Sequence, residues 1–236
     1  MTFFDPTMPL LSTKPSPFEV PQRPGQLNFH WKIGSVVLFS TFYTRFDQAC
    51  LVWGLLSGII FIAAQFLAID WLWQAVWWSV LTIIGLAATL AIVPDWVYQD
   101  RKGWIIHSWT LLMGTGLILT DLGIIYSWSW ILTNLCQLWL IVVALGYVLT
   151  GLGLRSRTLI IIGTIHVASI VLLPYVATWQ FLFTGIIMSL GSLALAQLQW
   201  DCKKSALIRG IEKGQNLWES SHITKVRSLS TPLIKS

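Results

Sequence analysis

Apolar residues in this chain gather into six long stretches that short polar gaps separate. Each stretch is long enough to cross the hydrocarbon core of a bilayer, which takes roughly 20 residues in a helix. The stretches cover residues 50–69, 71–93, 104–126, 130–154, 158–175 and 176–199. The pattern predicts an all-α, polytopic membrane protein with six transmembrane helices.

The gaps between these stretches alternate in charge. The first, third and fifth gaps carry no lysine or arginine, and all fifteen basic residues of the chain fall on the other side of a six-span topology. Cytoplasmic loops keep lysine and arginine because these residues resist translocation. Both termini are therefore predicted to be cytoplasmic. The basic residues expected to contact lipid headgroups or a partner are Arg101, Lys102, Arg155, Arg157, Lys203 and Lys204.

The composition excludes an ordinary soluble domain. Charged residues make up 11% of the chain and hydrophobic residues 55%, whereas soluble domains carry about 25% charged residues. The formal net charge of +5 is divided among short loops and ends. Such a distribution indicates anionic lipid headgroups as the partner rather than nucleic acid.

Two segments flank the predicted membrane domain of residues 49–200. Residues 1–27 are rich in proline and lack apolar periodicity, so we expect a disordered cytoplasmic arm. In residues 28–48, aromatic and apolar side chains recur at three- and four-residue steps, which predicts an amphipathic helix in the membrane interface. A seventh span is the alternative for this segment. Residues 201–236 are predicted to form a basic cytoplasmic tail.

The three outer connections are very short, which predicts three tight helical hairpins. Small residues then mark the helix contacts, because they let two backbones approach closely in lipid. One stripe contains Gly54 and Gly58, and the other contains Gly185, Ser189, Ser192 and Ala196. Packing within the chain is favoured for these stripes, and contact with a protein partner or a second copy is the alternative.

Ionisable and amide side chains inside the spans are candidates for function, because such groups are costly in lipid. Depth symmetry about the second outer turn places Asp121 opposite Asn134, with Gln137 one turn away. The three side chains are predicted to form one polar cluster. It is either a clamp that closes the hairpin, which we favour, or a site for a proton or cation.

A second polar pair is predicted at mid-membrane, where symmetry places His166 opposite Thr184. Two membrane histidines also raise the question of a haem with two axial imidazoles. His107 and His166 differ in depth by roughly 7–8 Å from the helical rise, which argues against it. No metal or cofactor motif occurs, and none is predicted. The fifteen tryptophans are typical of an interfacial belt, and a pigment or quinone pocket lined by tryptophan is the alternative.

Three short segments resemble uncharacterised integral membrane proteins of cyanobacteria. They are Phe42-Tyr43-Thr44-Arg45-Phe46-Asp47-Gln48, Gly151-Leu-Gly153-Leu-Arg155-Ser-Arg157 and Leu198-Gln199-Trp200-Asp201. The resemblance spans residues 28–201 and implies a multi-span protein of the plasma or thylakoid membrane. It implies no activity.

Three functions are compatible with these features, in order of preference. The first is a non-catalytic scaffold or assembly factor that acts through its cytoplasmic arm, basic loops and tail. The second is a small-solute or ion transporter, or a channel subunit, that uses Asp121, Asn134 and Gln137. The third is a membrane cofactor carrier or enzyme.

Overall fold

The structure is a computed structural model that describes residues 4, 7–15, 17, 25–33, 36–92 and 102–201. It contains seven α-helices and four short strands within these residues. The helices are α1 (Arg45–Phe66), α2 (Trp71–Ile92), α3 (Gly103–Ile125), α4 (Ser129–Thr133), α5 (Leu135–Leu154), α6 (Arg157–Leu172) and α7 (Gln180–Gln197). The strands are β1 (Leu11–Ser12), β2 (Leu27–Ile33), β3 (Val36–Tyr43) and β4 (Gln199–Trp200).

The mostly helical, multi-span character of the chain is confirmed. Five helical segments in the described part of the chain are long and apolar enough to cross a membrane: 45–66, 71–92, 103–125, 135–154 and 157–197. The last segment has 41 residues and joins α6 to α7 through a 3-10 turn at Leu173–Trp179, where Val176 leaves helical geometry. It covers the fifth and sixth stretches of the sequence.

Helix α1 begins at a capping box. The Thr44 hydroxyl accepts a hydrogen bond from the Asp47 amide, and the Asp47 carboxylate accepts one from the Thr44 amide at 2.9 Å. This reciprocal pair satisfies backbone donors that a helix leaves open at its start. The first helix therefore begins at Arg45, before the predicted domain boundary at residue 49.

Helix α5 lies at the centre of the bundle. Of its apolar segment 61% is buried, against 22–28% for the other four segments. Large apolar side chains on those outer segments remain exposed, including Leu55, Ile118 and Leu190. An exposed apolar surface of this extent fits contact with lipid.

The most extensive helix contact joins the first helix to the last, α1 to α7. The Ser189 hydroxyl donates to the Gly54 carbonyl at 2.7 Å. A Cβ atom at Gly54 would lie 2.9 Å from Cγ of Leu193, which is closer than real side chains come. The two small-residue stripes thus pack against each other within the chain, and this face is not free for a second copy.

The sequential hairpins are not equally tight. Neighbours α6 and α7 make few contacts, whereas α5 and α6 make many. The fourth predicted span is also broken: it divides into α4 and α5 at Asn134, whose φ and ψ are −111° and 21°. The prediction of a tight hairpin is therefore wrong for the last pair, α6 and α7, because contacts between distant helices replace the packing of these two neighbours.

The prediction of one helix over residues 28–48 is wrong for the described residues before Thr44. Strands β2 and β3 pair antiparallel there, with Leu27 opposite Tyr43 and a bulge after Trp31, and helix starts only at Arg45. The physical reason is a shorter period: apolar side chains alternate along β2, and β-branched and aromatic residues favour strands. The three- and four-residue steps that suggested a helix arise by chance, because this segment is rich in aromatic and apolar residues.

The described part of the predicted disordered arm is ordered. Strand β1 pairs with β4, so Leu11 lies opposite Trp200. Lys14 Nζ lies 3.1 Å from an Asp47 carboxylate oxygen, with side-chain exposures of 5% and 0%. It also donates to the Phe42 carbonyl at 2.9 Å. Burial lowers the pKa of Lys14 to about 8, so its ammonium is still mostly charged at neutral pH. The buried ion pair and these backbone contacts order the segment, although its composition predicts disorder.

Both ends of the membrane domain therefore meet at one end of the bundle. Lys102 and Arg157 lie at the same end, because Trp104 approaches Gly153 and Arg157 pairs with Asp201. We call it the basic end. The predicted tail beyond Asp201 lies outside the described residues, as do Arg101, Lys203 and Lys204.

We expect Lys14→Met to destabilise the folded protein. The change leaves the Asp47 carboxylate buried without its cation, and losing one partner of a buried pair costs about 3–5 kcal/mol. The measurement is thermal unfolding in mild detergent, together with protease cleavage of the arm. Lys32→Met on the exposed strand β2 is the matched control, and the double variant Lys14→Met with Asp47→Asn should recover much of the loss. Equal stability of Lys14→Met and Lys32→Met would refute the stabilising role of the Lys14–Asp47 ion pair.

Candidate functional site: an apolar cavity at the basic end

Asp121 is held by another helix than the sequence predicts. Its carboxylate accepts from the Ser79 hydroxyl of α2, at 3.2 Å and 2.9 Å for the two oxygens. The described residues give it no hydrogen bond to Asn134 or Gln137. Asn134 donates to the carbonyl of Trp130 at 2.8 Å, and the Gln137 side-chain oxygen is buried without a partner among the described residues. Among the described residues, Asp121, Asn134 and Gln137 therefore form no hydrogen-bonded cluster.

The break at Asn134 explains this difference. Depth symmetry assumes one continuous helix after the turn, but the chain forms the short helix α4 and then restarts as α5. The Asn134 side chain is engaged in a local contact at this break. Asp121 instead joins α2 and α3 in the halves of these helices that lie away from the basic end.

The pair His166 and Thr184 is not hydrogen-bonded either, although both side chains are fully buried. His166 Nδ1 lies 2.8 Å from the Ile162 carbonyl, so this nitrogen carries the proton. Its Nε2 and the Thr184 hydroxyl oxygen have no partner in the described residues. The imidazole ring packs 5.3 Å from the Tyr147 ring. His107 is exposed and bonds the Gly103 carbonyl of its own helix, so the two histidines share no site.

The basic residues near the spans have different environments. The Arg157 side chain lies 3.6 Å from the Asp201 carboxylate and also donates to the Met8 carbonyl. Asp201 accepts further from the Arg157 amide at 2.7 Å. Arg157 therefore contacts the segments around Met8 and Asp201 rather than facing outward. Arg155 is exposed and ends α5 in the left-handed conformation, with φ of 55°.

The helices enclose a cavity of about 120 Å³ near the basic end, and it is partly open. Five helices contribute to its wall. The lining residues are Phe46, Ala49, Cys50, Trp53 and Ser57 of α1, Leu86, Thr89 and Leu90 of α2, Ile105, Ile106, Trp109, Thr110 and Met113 of α3, Val143, Tyr147, Thr150 and Leu154 of α5, Met188 and Ser192 of α7, and Lys102.

The polar groups of this wall are largely paired with one another. Trp53 donates to the Thr89 hydroxyl at 2.9 Å, and Trp109 donates to the Thr150 hydroxyl at 2.8 Å. The Tyr147 and Ser192 hydroxyls lie 2.8 Å apart. Polar groups that are already hydrogen-bonded need no hydrogen-bond partner from a ligand. The cavity therefore presents an apolar, aromatic wall.

Lys102 is the single charged side chain of this lining. It is the N-cap residue of α3 and makes no side-chain capping bond. Among the described residues it has no carboxylate partner within ion-pair distance, since the two pairs there join Lys14 to Asp47 and Arg157 to Asp201. The arrangement joins an apolar interior to one half-buried cation at the edge.

Sequence reasoning missed the cavity as a site. The tryptophan pocket that it left as an alternative named no residues, and most lining residues are the aliphatic and aromatic types that any span contains. The side-chain pairs Trp53–Thr89 and Trp109–Thr150 mark the cavity in the structure. Each pair joins two different helices with no fixed sequence spacing, so the sequence alone does not reveal it. Within the described residues, no group of three histidine, cysteine or acidic side chains comes together as metal ligands.

Comparison of the chain with protein-family models, with curated proteins and with solved structures finds no match in any of the three.

We expect Asp121→Asn to leave thermal stability nearly unchanged, within about 0.5 kcal/mol, because the amide oxygen still accepts from Ser79. Ser79→Ala should cost about 1 kcal/mol, since it leaves the Asp121 side chain without its partner. Both are measured by thermal unfolding in mild detergent. A proton flux into vesicles that the wild type supports and Asp121→Asn abolishes would overturn the clamp interpretation and favour a transporter.

Proposed function

We propose that the chain is a non-catalytic integral membrane protein that binds the apolar chain of an acidic amphiphile at the basic end of its helix bundle. The observation that carries this proposal is the cavity: an apolar wall whose polar groups are paired internally, with Lys102 at its edge. The class of ligand is a fatty acid or an acidic lipid or isoprenoid.

The size of the cavity supports a chain end or one ring rather than a whole drug-sized molecule. A volume of about 120 Å³ is smaller than ordinary ligand pockets of about 300–1,000 Å³. It is close to that of an apolar cavity of about 150 Å³ that accepts benzene. The rest of the ligand extends through the open side of the cavity.

The topology proposed with this function has six spans, with α6 and α7 as the last two. A helix of 41 residues would measure about 60 Å, twice the hydrocarbon thickness of roughly 30 Å. The break at Val176 supports two crossings. The distribution of lysine and arginine supports a cytoplasmic location for the basic end and both termini. The membrane is a plasma or thylakoid membrane in this proposal.

The scaffold hypothesis stays a prediction. Its tail lies outside the described residues, and the described part of its arm is packed on the bundle through Lys14 and β1. A segment held in this way is not presented to a partner. The transporter hypothesis also stays a prediction, and Asp121 does not line the cavity.

We expect Ala49→Leu to weaken binding of oleic acid to the purified protein. The larger side chain fills room for three methylene-sized groups, each worth about 0.8 kcal/mol, so affinity should fall roughly fiftyfold. The measurement is native mass spectrometry of the protein at increasing oleic acid in mild detergent. The matched control is Ala87→Leu on the exposed face of α2, which lies outside the cavity. Equal binding by both variants would reject the cavity as the site.

We also expect Lys102→Gln to remove the preference for an acidic head. Wild-type protein should bind oleic acid about fivefold more tightly than oleyl alcohol, which corresponds to ~1 kcal/mol for a partly exposed charge pair. The variant should bind both alike and keep its affinity for the alcohol. A preference that survives in Lys102→Gln would assign head recognition to another residue.

A further inference from the structure

Strand β2 carries two chemically different faces. Its odd-numbered side chains are apolar (Leu27, Phe29, Trp31 and Ile33), and its even-numbered ones are polar (Asn28, His30 and Lys32). Side chains on a strand alternate between the two faces of a sheet. Strand β2 is therefore amphipathic, with a stripe of four large apolar residues along one face. We call this stripe the apolar face of the hairpin.

The described part of the chain leaves about half or more of each side chain of the apolar face exposed. The exposed fractions of its members are 49% for Leu27, 51% for Phe29, 65% for Trp31 and 62% for Ile33. The root of the hairpin is anchored: Tyr43 is buried, packs edge-on to Phe29 at 5.7 Å, and bonds Gln197. Trp31 and Ile33 near the tip are thus more exposed than Leu27 and Phe29 near the root. An isolated two-stranded hairpin is marginally stable in water, so this face needs a cover.

The position of the hairpin identifies its surroundings. Strand β3 ends at Tyr43, and after Thr44 the candidate membrane helix α1 begins at Arg45. The hairpin is thus joined by one residue to the point where a span starts. Seven residues at ~3.3 Å each give it a reach of roughly 23 Å. It can extend sideways over lipid without leaving the membrane surface.

The side chains fit that surface. Tryptophan prefers the headgroup region, and lysine next to it is attracted by anionic lipid. Lys32 follows Trp31 on the opposite face, and Lys102 lies at the same end of the bundle. A basic, aromatic strand beside the start of a span matches the chemistry of an acidic leaflet.

We propose that the β2–β3 hairpin lies on the membrane surface at the basic end, with Leu27, Phe29, Trp31 and Ile33 inserted among the lipids of that leaflet. The hairpin acts there as a monotopic anchor beside the helix bundle. This proposal does not depend on the ligand of the cavity.

The test is a scan of single spin labels along residues 27–33 in vesicles of phosphatidylcholine and phosphatidylglycerol. The parent chain keeps the buried cysteines Cys50 and Cys136 and carries Cys202→Ser, and its signal after the same labelling reaction is the background. Each label reports its accessibility to oxygen, which dissolves in lipid, and to a nickel chelate, which stays in water. We expect odd positions to favour oxygen and even positions to favour the chelate, with a period of two.

Three results would overturn the proposal. Chelate access at every position would place the hairpin in water. Protection of the odd positions from both reagents would show that protein, such as a second copy, covers the apolar face. A period near 3.6 would show a helix in place of the strand.

Trp31→Ser and His30→Ser form a matched pair on opposite faces: loss of oxygen access at residue 29 is expected in the first variant and not in the second.

Discussion

The close approach of the first and last long helices is the constraint on which the rest of the structure depends. Ser189 reaches the Gly54 carbonyl at 2.7 Å because neither stripe carries bulk at the crossing. This contact brings the start of α1 and the end of α7 to one place. Only then can β1 pair with β4, and only then does Lys14 meet both Asp47 and the backbone next to the bundle.

The same constraint explains where the cavity lies. Helices α2 and α3 are joined away from the basic end by Ser79 and Asp121, while α1 is engaged by α7. Toward the basic end, α1, α2, α3 and α5 meet through the side-chain pairs Trp53–Thr89 and Trp109–Thr150. Two bulky indoles held by hydrogen bonds act as spacers there, and space remains between them.

Sequence alone predicts the features that local patterns and the bilayer dictate. The spans and the small-residue stripes each have a signal within one helix, and the packing of Gly54 against Ser189 matches the favoured interpretation. The partner of Asp121 is not predicted, because depth symmetry about the second outer turn relates only the third and fourth spans. Ser79 lies on the second span. Residues 28–48 are misassigned because an aromatic, β-branched segment fits two periods, and only strand pairing decides between them. The order in the arm depends on Lys14, a single residue in a segment whose composition indicates disorder.

The bilayer also changes what an apolar cavity means. In a water-soluble protein such a cavity stays dry, because water gains too few hydrogen bonds inside it. In a membrane the surrounding medium is itself hydrocarbon, and a void only loses the dispersion contacts that a chain would make. Filling the space is then favourable for almost any chain, so the apolar wall gives occupancy and little selectivity. Selectivity has to come from the edge of the cavity, where Lys102 is the one charged group of the described lining. For this reason the comparison of acid with alcohol tests recognition, while the comparison of Ala49→Leu with Ala87→Leu tests location.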